Sequence, residues 1–362
     1  MGADARRSRG HRAGRAGIAL VALLAVAGLV VALVAHREDA RANPNSAIFA
    51  SVPPLSRPAS TGATVAPLAS PGADPFRPGD GASLNTDPLT PEEDPATAAP
   101  WPAPPADPAP AVDATLAAAA TNGITLGVVV LDRPTGAVLV ARDADTPYPA
   151  LSLLKVMIAA DVLINGWPAA PDGELPALTD PASIDAVLTR MIATSDDVIA
   201  SDLYDATGGD DMVHRVATRY GMTGTTPTPD GTYWGNVQVT PADLAALLTG
   251  VLADPGTASV IGPAMRATTA IAADGVDQRF GMRLVPGAGS KQGWGCCLSG
   301  IAGIHSMGFT ADRIVVVLSG SEPDDDSLGE QDGLALAADP GAQAGLAAAD
   351  DVVRAALGGP AG

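Results

Sequence analysis

The hydrophobic and polar positions divide the chain into four parts. Residues 1–17 are polar and basic, residues 18–35 are an uninterrupted apolar run, and residues 36–112 show no lasting helical or strand period. Beyond them the pattern switches between the period of helices and the period of strands, which is typical of a packed domain. The pattern therefore predicts a folded domain at residues 113–362, behind an N-terminal apolar segment and a linker.

The apolar run at residues 18–35 has roughly the minimum length for a membrane-spanning helix. Five arginines precede it and mixed charges follow it, which predicts a cytoplasmic N-terminus at residues 1–17. A cleaved signal peptide is the alternative, with Ala40-Arg41-Ala42 as its processing site, but the run is long for such a peptide. No cysteine stands here for lipidation. We favour a signal anchor, a single-pass helix in the cell membrane, and both interpretations place the domain outside the cytoplasm.

The segment before the predicted domain is rich in proline. Between Asn43 and Val112 it holds 17 of the chain's 33 prolines, mixed with Ala, Ser, Thr and Asp. Such a composition cannot bury enough apolar surface to order itself. We therefore predict a disordered, semi-extended linker at residues 36–112 with a random-coil reach of roughly 45 to 50 Å, acting as a passive tether within the cell wall.

Within the predicted domain the order of elements is a hairpin, a helical block, three strands and a final helix. Helices are predicted at Val112–Ala120, Leu151–Ile164, Ile184–Ile192, Val198–Asp205, Asp210–Tyr220, Pro241–Leu252 and Gly341–Leu357. Strands are predicted at Ile124–Leu131, Ala137–Ala141, Gly289–Leu298, Ile301–Thr310 and Arg313–Gly320, with a long loop at Gly221–Val239. Strands from both ends are expected to form one antiparallel five-stranded sheet flanked by the terminal helices. The predicted fold class is thus α+β and two-lobed, with an all-helical second lobe and a cleft between the lobes.

One predicted helix carries a chemical pair. The stretch Leu151–Ile164 is apolar nearly all round but contains Ser152 and Lys155, which share a face at this spacing. The N–H of Ser152 would be one of the unpaired donors of the first turn, available to an oxyanion. Lys155, one turn deeper, could lose its proton by desolvation and accept that of the serine.

The composition strengthens this interpretation. Of the 21 basic residues only Lys155 and Lys291 are lysine, and the other 19 are arginine. A solvated surface charge can be either residue, but arginine cannot serve as a proton acceptor because it does not lose its proton. Both lysines are therefore candidates for a chemical role.

Charge and composition exclude several other functions. A net charge of -19 and a pI near 4.3 argue against nucleic acid or anionic lipid as partner. The four histidines are scattered without metal-ligand spacing, so we expect neither a metal nor another cofactor. The adjacent Cys296 and Cys297 fit two buried thiols or a strained vicinal bridge, and they and His305 are interpreted as core residues.

Two further short motifs complete a pattern. Ser195-Asp196-Asp197 lies in a predicted loop between helices, and Lys291-Gln292-Gly293 lies on the first late strand. With the Ser-x-x-Lys pair, in this order and spacing, they resemble the S-x-x-K, S-D-N and K-T-G motifs of class A β-lactamases and penicillin-binding proteins. The resemblance extends over nearly all of residues 113–357, and it is specific as an ensemble although each motif alone is weak.

The resemblance implies a role for each matching residue. Ser152 would be the acylated nucleophile and Lys155 its proton acceptor, Ser195 would relay a proton to the leaving nitrogen, and Lys291 would attract the substrate carboxylate. The backbone N–H groups of Ser152 and Trp294 would form the oxyanion hole. Asp197, Gln292, Gly293 and Trp294 would line the substrate site, and Gly293 would permit close approach of a substrate backbone.

The chain also departs from the family pattern. Asp197 replaces Asn, which favours the ammonium form of Lys155 and weakens it as a base. Gln292 replaces Thr or Ser. If Asn236 matches the asparagine of the family's long loop, Thr232 stands where class A enzymes have the glutamate that hydrolyses the acyl-enzyme, so slow deacylation is expected.

Two functions follow from these observations. The first is an anchored serine hydrolase or acyltransferase that forms an acyl-enzyme with β-lactams or D-alanyl cell-wall peptides. The second, suggested by Asp197 and Gln292, is a catalytically impaired member that binds cell-wall peptide or recruits a partner. The structural alternatives are Ser152 as a helix cap, Lys155 as a surface-reaching side chain, and Asp196 and Asp197 as a solvated capping pair. Together they would require both lysines to fall in ordered motifs by chance.

Overall fold

The computed structural model describes residues 101–169, 176–228, 233–295, 302–321 and 339–360. The predicted membrane anchor and most of the predicted linker lie outside the described residues, as do Thr232, Cys296 and Cys297. In the described part of the chain no single helix is long and apolar enough to cross a membrane. One pair of consecutive helices, Pro241–Ala253 and Pro255–Arg266, meets the criterion of length and composition together, bent by 113°.

Five of seven described strands form one antiparallel sheet, as predicted. The strands are β1 Thr125–Asp132, β2 Val138–Arg142, β3 Tyr148–Pro149, β4 Gln238–Val239, β5 Gly289–Gly295, β6 Ala302–Phe309 and β7 Arg313–Ser321. The sheet order is β2-β1-β7-β6-β5, so the first hairpin joins the last three strands through the β1–β7 pair. Strands β3 and β4 pair separately, next to the cleft.

Eight described helices surround this sheet. They are α1 Ala109–Thr121, α2 Leu154–Asn165, α3 Pro181–Ala193, α4 Asp197–Ala206, α5 Asp210–Tyr220, α6 Pro241–Ala253, α7 Pro255–Arg266 and α8 Pro340–Leu357. The terminal helices α1 and α8 pack together on one face of the sheet, and the others form the helical lobe. The predicted two-lobed α+β architecture is thus confirmed.

The strand sequences explain why the sheet is covered on both faces. Every residue of β6 and β7 is buried, and β7 carries the continuous apolar run Ile314–Leu318. Successive side chains point to opposite faces, so Val315 and Val317 pack under α1 and α8, whereas Val316 and Leu318 face the helical lobe. The central strands therefore separate two apolar cores.

Helix α2 is the centre of the helical lobe. Each residue from Leu154 to Val162 is buried, and α3, α4, α5 and α7 pack around it. A helix that is apolar nearly all round is stable only when neighbours enclose it. The predicted helix Leu151–Ile164 begins as the 3-10 turn Leu151–Leu153, so Ser152 precedes the α-helix itself.

Helix α7 has no counterpart in the sequence prediction. Prolines and glycines interrupt its pattern, and Pro263 lies inside the helix. The helix nevertheless forms because Asp254 accepts hydrogen bonds from Gly256 N and Thr257 N, and Pro255 opens it at a position that needs no donor. Burial of Val260 and Ile261 against the lobe then outweighs the weak propensity.

Candidate active site

Ser152 lies in the turn that leads into α2, and neighbouring glycines leave the space that this turn occupies. Its predecessor Leu151 has a positive φ of 49°, which is strained for a residue with a branched side chain. The side chain of Leu151 lies against Gly295 and Gly303, where an added Cβ would come within 2.6 Å and 2.9 Å of its methyl carbons. The glycines of β5 and β6 therefore make room for the turn that presents the serine.

Lys155, the second residue of α2, is wholly buried, and three groups surround its ammonium. Its Nζ donates to Ser152 Oγ at 2.7 Å and to Asp197 Oδ1 at 2.5 Å. The ring of Trp234 lies beneath it, with the centroid 4.4 Å from Nζ. A carboxylate and an aromatic face both favour a cation at this position.

Ser195 connects Ser152 to the sheet. It lies between α3 and α4 with a positive φ of 56°, and Asp196 caps α4 directly after it. Its Oγ donates to Ser152 Oγ at 2.9 Å. The unusual backbone angle therefore turns a loop residue inward to a hydroxyl on another helix.

Lys291 on β5 completes the cluster from the opposite side. Its Nζ donates to Ser195 Oγ at 2.9 Å and to the carbonyl of Gln292 at 2.8 Å, and no solvent reaches it. Burial lowers the pKa of this amine well below its usual value, and the charge of Lys155 lowers it further. The more distant carboxylates of Asp197 and Asp274 oppose that shift of the Lys291 pKa.

The other predicted residues of β5 lie differently from one another. Gln292 is completely buried and donates from Nε2 to the carbonyl of Phe280 at 3.3 Å, on the face opposite to Lys291. Gly293 lies against the turn Leu151–Leu153, since an added Cβ would be 3.4 Å from Ser152 N. Trp294 is half-buried, with its ring centroid 5.7 Å from Lys291 Nζ. The structure thus places Gly293 beside Ser152, the ring of Trp294 near Lys291, and the side chain of Gln292 on the other face of the strand.

Two residues of the site were missed by the sequence interpretation. Trp234 donates from Nε1 to Ser201 Oγ at 2.9 Å and covers Lys155. Asp274 accepts from Trp294 Nε1 at 2.9 Å. Both lie in loops far along the chain from their partners, and only the scarcity of tryptophan, four in the chain, offers a signal.

His305 is a core residue, as predicted, and it contacts the backbone just before the turn that contains Ser152. Its Nε2 lies 2.9 Å from the carbonyl oxygen of Pro149, and the backbone N–H of Ser319 donates to its Nδ1 at 3.2 Å. A ring with these two partners is neutral, with its proton on Nε2. Burial accordingly lowers the pKa of His305 to about 4.

The arrangement joins four side chains in one continuous hydrogen-bonded chain. Lys155, Ser152, Ser195 and Lys291 follow one another at 2.7, 2.9 and 2.9 Å. A hydroxyl in contact with an amine can be activated as a nucleophile, and a second hydroxyl can carry its proton. Among the described residues no group of three His, Cys, Asp or Glu side chains could hold a metal ion.

The two-lobed α+β fold and the three motifs resemble those of class A β-lactamases and penicillin-binding proteins. The chain is 33% identical over 220 residues to the protein named "Putative lipoprotein LppW" in Mycobacterium tuberculosis and in Mycobacterium bovis, a match that covers 58% of this chain and 67% of each relative. The chain belongs to the LppW family. No family model matches the chain.

Several solved structures are similar to the chain. The β-lactamase of Sphaerobacter thermophilus is 20% identical, with 68% of this chain and 95% of that chain covered and a TM-score of 0.49. An ancestral class A β-lactamase is 21% identical, with 67% and 98% covered and a TM-score of 0.47. The acyl-enzyme complex of PBP-A with penicillin G is 17% identical, with 68% and 96% covered and a TM-score of 0.45. The activities named for these structures are properties of those proteins.

Proposed function

We propose that this chain is an extracytoplasmic serine hydrolase or acyltransferase that opens β-lactams or D-alanyl cell-wall peptides by acylation at Ser152. The observation that carries the proposal is the chain of four side chains ending in the two lysines, with each contact between 2.7 and 2.9 Å. Ser152 Oγ attacks the carbonyl carbon, its proton leaves along this chain, and the same groups return a proton to the leaving nitrogen.

The backbone around Ser152 supports the second requirement of acyl transfer. The tetrahedral intermediate needs two N–H donors aimed at its oxygen. Gly293 brings β5 close to the serine turn, since an added Cβ there would lie 3.3 Å from Leu151 Cβ. The N–H groups of Ser152 and Trp294, on the two sides of this contact, are the donors we assign to the oxyanion.

Deacylation is proposed to be slow. Hydrolysis of an ester needs a base that activates water. The predicted loop Gly221–Val239, which would supply this base, places the indole ring of Trp234 next to Lys155. Trp234 is buried, and the centroid of its ring lies 4.4 Å from Lys155 Nζ. Asn236, two residues on, is buried with its amide oxygen lacking a partner among the described residues. The predicted place of the hydrolytic glutamate, Thr232, lies outside the described residues.

The location of the protein is also proposed. The LppW relatives are named lipoproteins. In this chain the two cysteines stand together at residues 296 and 297, so we propose that residues 18–35 provide the membrane attachment in place of a lipid. The proline-rich linker would then hold the domain in the cell wall.

The second candidate function is a binding module without turnover. Asp197 favours it, because the 2.5 Å contact with Lys155 keeps the amine nearest to Ser152 engaged with a carboxylate. Such a protein would hold a cell-wall peptide in the cleft without acylation.

The test is the intact mass of the full chain over time after addition of benzylpenicillin. We expect a lasting increase by the mass of one penicillin, absent in Ser152→Ala and unchanged in Ser259→Ala, a serine on the surface of α7. A short-lived adduct with rapid product formation would contradict slow deacylation. No adduct on a folded wild-type chain would favour the binding module.

A further inference from the structure

We propose that the proton acceptor for Ser152 is Lys291, reached through Ser195, and that Lys155 acts as a fixed ammonium. This inference rests on the proposed acylation at Ser152 and assigns the two lysines roles different from those that the family resemblance implies. It follows from the unlike surroundings of two side chains that are equally buried.

Lys155 is unsuited to accept a proton. Its Nζ lies 2.5 Å from Asp197 Oδ1 and 4.4 Å from the ring centroid of Trp234. Loss of the proton would leave the carboxylate facing a neutral amine and would remove the cation from the indole face. As an ammonium, however, Lys155 donates to Ser152 Oγ at 2.7 Å and stabilises the alkoxide that develops there.

Lys291 has the opposite surroundings. Its hydrogen-bond partners are a hydroxyl and a backbone carbonyl, and it forms no ion pair within the described ranges. The charged groups that face it are the Lys155 ammonium, which disfavours a second cation, and the more distant carboxylates of Asp197 and Asp274, which favour one. Complete burial is the largest effect and lowers the pKa of Lys291, so among the two lysines this amine is the one whose surroundings favour the neutral form.

A neutral Lys291 gives every group in the chain one consistent role. When Lys291 is neutral, the two serine hydroxyl hydrogens take the directions opposite to those described above for the ammonium form, over the same distances. The Lys155 ammonium then donates to Ser152, Ser152 donates to Ser195, and Ser195 donates to the lone pair of Lys291. One of the two N–H groups of neutral Lys291 donates to the carbonyl of Gln292 at 2.8 Å. No hydroxyl proton is then left without an acceptor.

The acylation step balances along this route. Ser152 Oγ forms a bond to the carbonyl carbon while its proton passes to Ser195, and the original Ser195 proton passes to Lys291. When the bond between carbonyl carbon and leaving nitrogen breaks, the Lys291 ammonium returns a proton through Ser195 to that nitrogen. Lys291 is thus base in the first half and acid in the second.

The test uses a fluorophosphonate probe, which phosphonylates an activated serine and releases fluoride. Fluoride needs no proton from the enzyme, so Ser195 matters for this probe only if it carries the Ser152 proton away. We expect Ser195→Ala and Lys291→Met to lower the labelling rate of the full chain by about 100-fold or more. The control Ser290→Ala, next to Lys291 on the same strand, should label like wild type.

A second variant makes the assignment of Lys155 visible. Asp197→Asn removes the carboxylate that holds the Lys155 ammonium, so in the Ser195→Ala background it should restore labelling by about 10-fold as Lys155 becomes a direct base. Ser195→Ala leaves both lysines in place, so it carries the test even if Lys291→Met does not fold.

The outcomes separate the two proposals. Ser195→Ala labelled at the wild-type rate would show that Lys155 takes the proton directly and would overturn this inference alone. A folded wild-type chain that reacts neither with the fluorophosphonate nor with benzylpenicillin would overturn the proposed function, and this inference with it.

Discussion

Lys155 and Lys291 enter the same cleft from opposite lobes, and both are completely excluded from solvent. Lys155, from the helical lobe, meets a carboxylate, a hydroxyl and an indole ring. Lys291, from the sheet, meets a hydroxyl and a carbonyl. Burial alone disfavours both cations, but among the residues that the structure describes only Lys155 has an opposite charge in contact. Of two equally buried lysines, one can therefore be a fixed charge and the other can accept a proton, depending on the groups that each contacts.

The largest expected effect of this difference is on the pH dependence of the free energy of unfolding. The pKa of Lys291 in the fold is lowered from 10.5, so its contribution to stability is complete above pH 10.5 and is lost as the pH falls through the folded value. As the pH rises towards 10.5 from the folded value, the free energy of unfolding of the wild type should therefore increase, by up to about 1.4 kcal/mol per unit. Lys291→Met should remove that slope in urea titrations.

Lys155→Met is the informative partner in this experiment. The charge of Lys155 is the second cause of the lowered Lys291 pKa, so its removal should reduce the slope without abolishing it. Tyr148, whose pKa burial raises to about 12, is present in both variants and cancels in the difference. Equal slopes in wild type and Lys291→Met would mean that Lys291 is not neutral in the fold.

A third buried base extends the comparison. His305, like Lys291, contacts no carboxylate within the described part of the chain, and burial lowers its pKa from 6.5 to about 4. Its contribution to stability is complete above pH 6.5 and is lost as the pH falls through about 4, a total on the order of 3 kcal/mol. Urea titrations of wild type and His305→Gln between pH 7 and 4 should differ by a decreasing amount, because Gln retains a donor for the Pro149 carbonyl but takes up no proton.

Asp350 titrates in the same pH range as His305, and its effect on the free energy of unfolding has the opposite sign. Burial raises the pKa of Asp350 to about 6, so its contribution favours the fold as the pH falls from 6 towards 3.8. The pH dependence of wild-type stability therefore combines the opposed effects of His305 and Asp350. The difference between wild type and His305→Gln isolates the effect of His305. A difference independent of pH would show that His305 is not held neutral.

The sequence predicts much of the fold because its signals are local. The hairpin, the three late strands and α5 follow from period and turn residues within each segment. Helix α7 escaped prediction because its prolines and glycines oppose it locally, and packing in the helical lobe decides its formation.

The site divides in the same way. The spacing of Ser152 and Lys155 predicts their contact, and the scarcity of lysine identifies Lys291. Trp234 and Asp274, in contrast, act across the fold from loops without a motif. Gln292 shares its motif with Lys291, yet strand alternation places it on the opposite face, beside Phe280.

The smallest expected effect concerns Ser195, which joins the two lysines. Asp196 holds it in place by capping α4, accepting from Val198 N at 3.1 Å and from Ile199 N at 3.2 Å. Asp180 caps α3 in the same manner, with Ser183 N at 3.1 Å, away from the site. Asp196→Ala and Asp180→Ala should each cost about 1 kcal/mol of stability in urea titrations.

The two cap variants should differ in chemistry. Removal of the Asp196 cap loosens the backbone that keeps Ser195 at a φ of 56°, so fluorophosphonate labelling of Ser152 should fall about 10-fold, since small displacements of a reacting group are costly. Asp180→Ala should label like wild type. Equal labelling by the two variants would mean that Ser195 is held by its neighbours in the cleft, Ser152 and Lys291, and not by the helix that follows it.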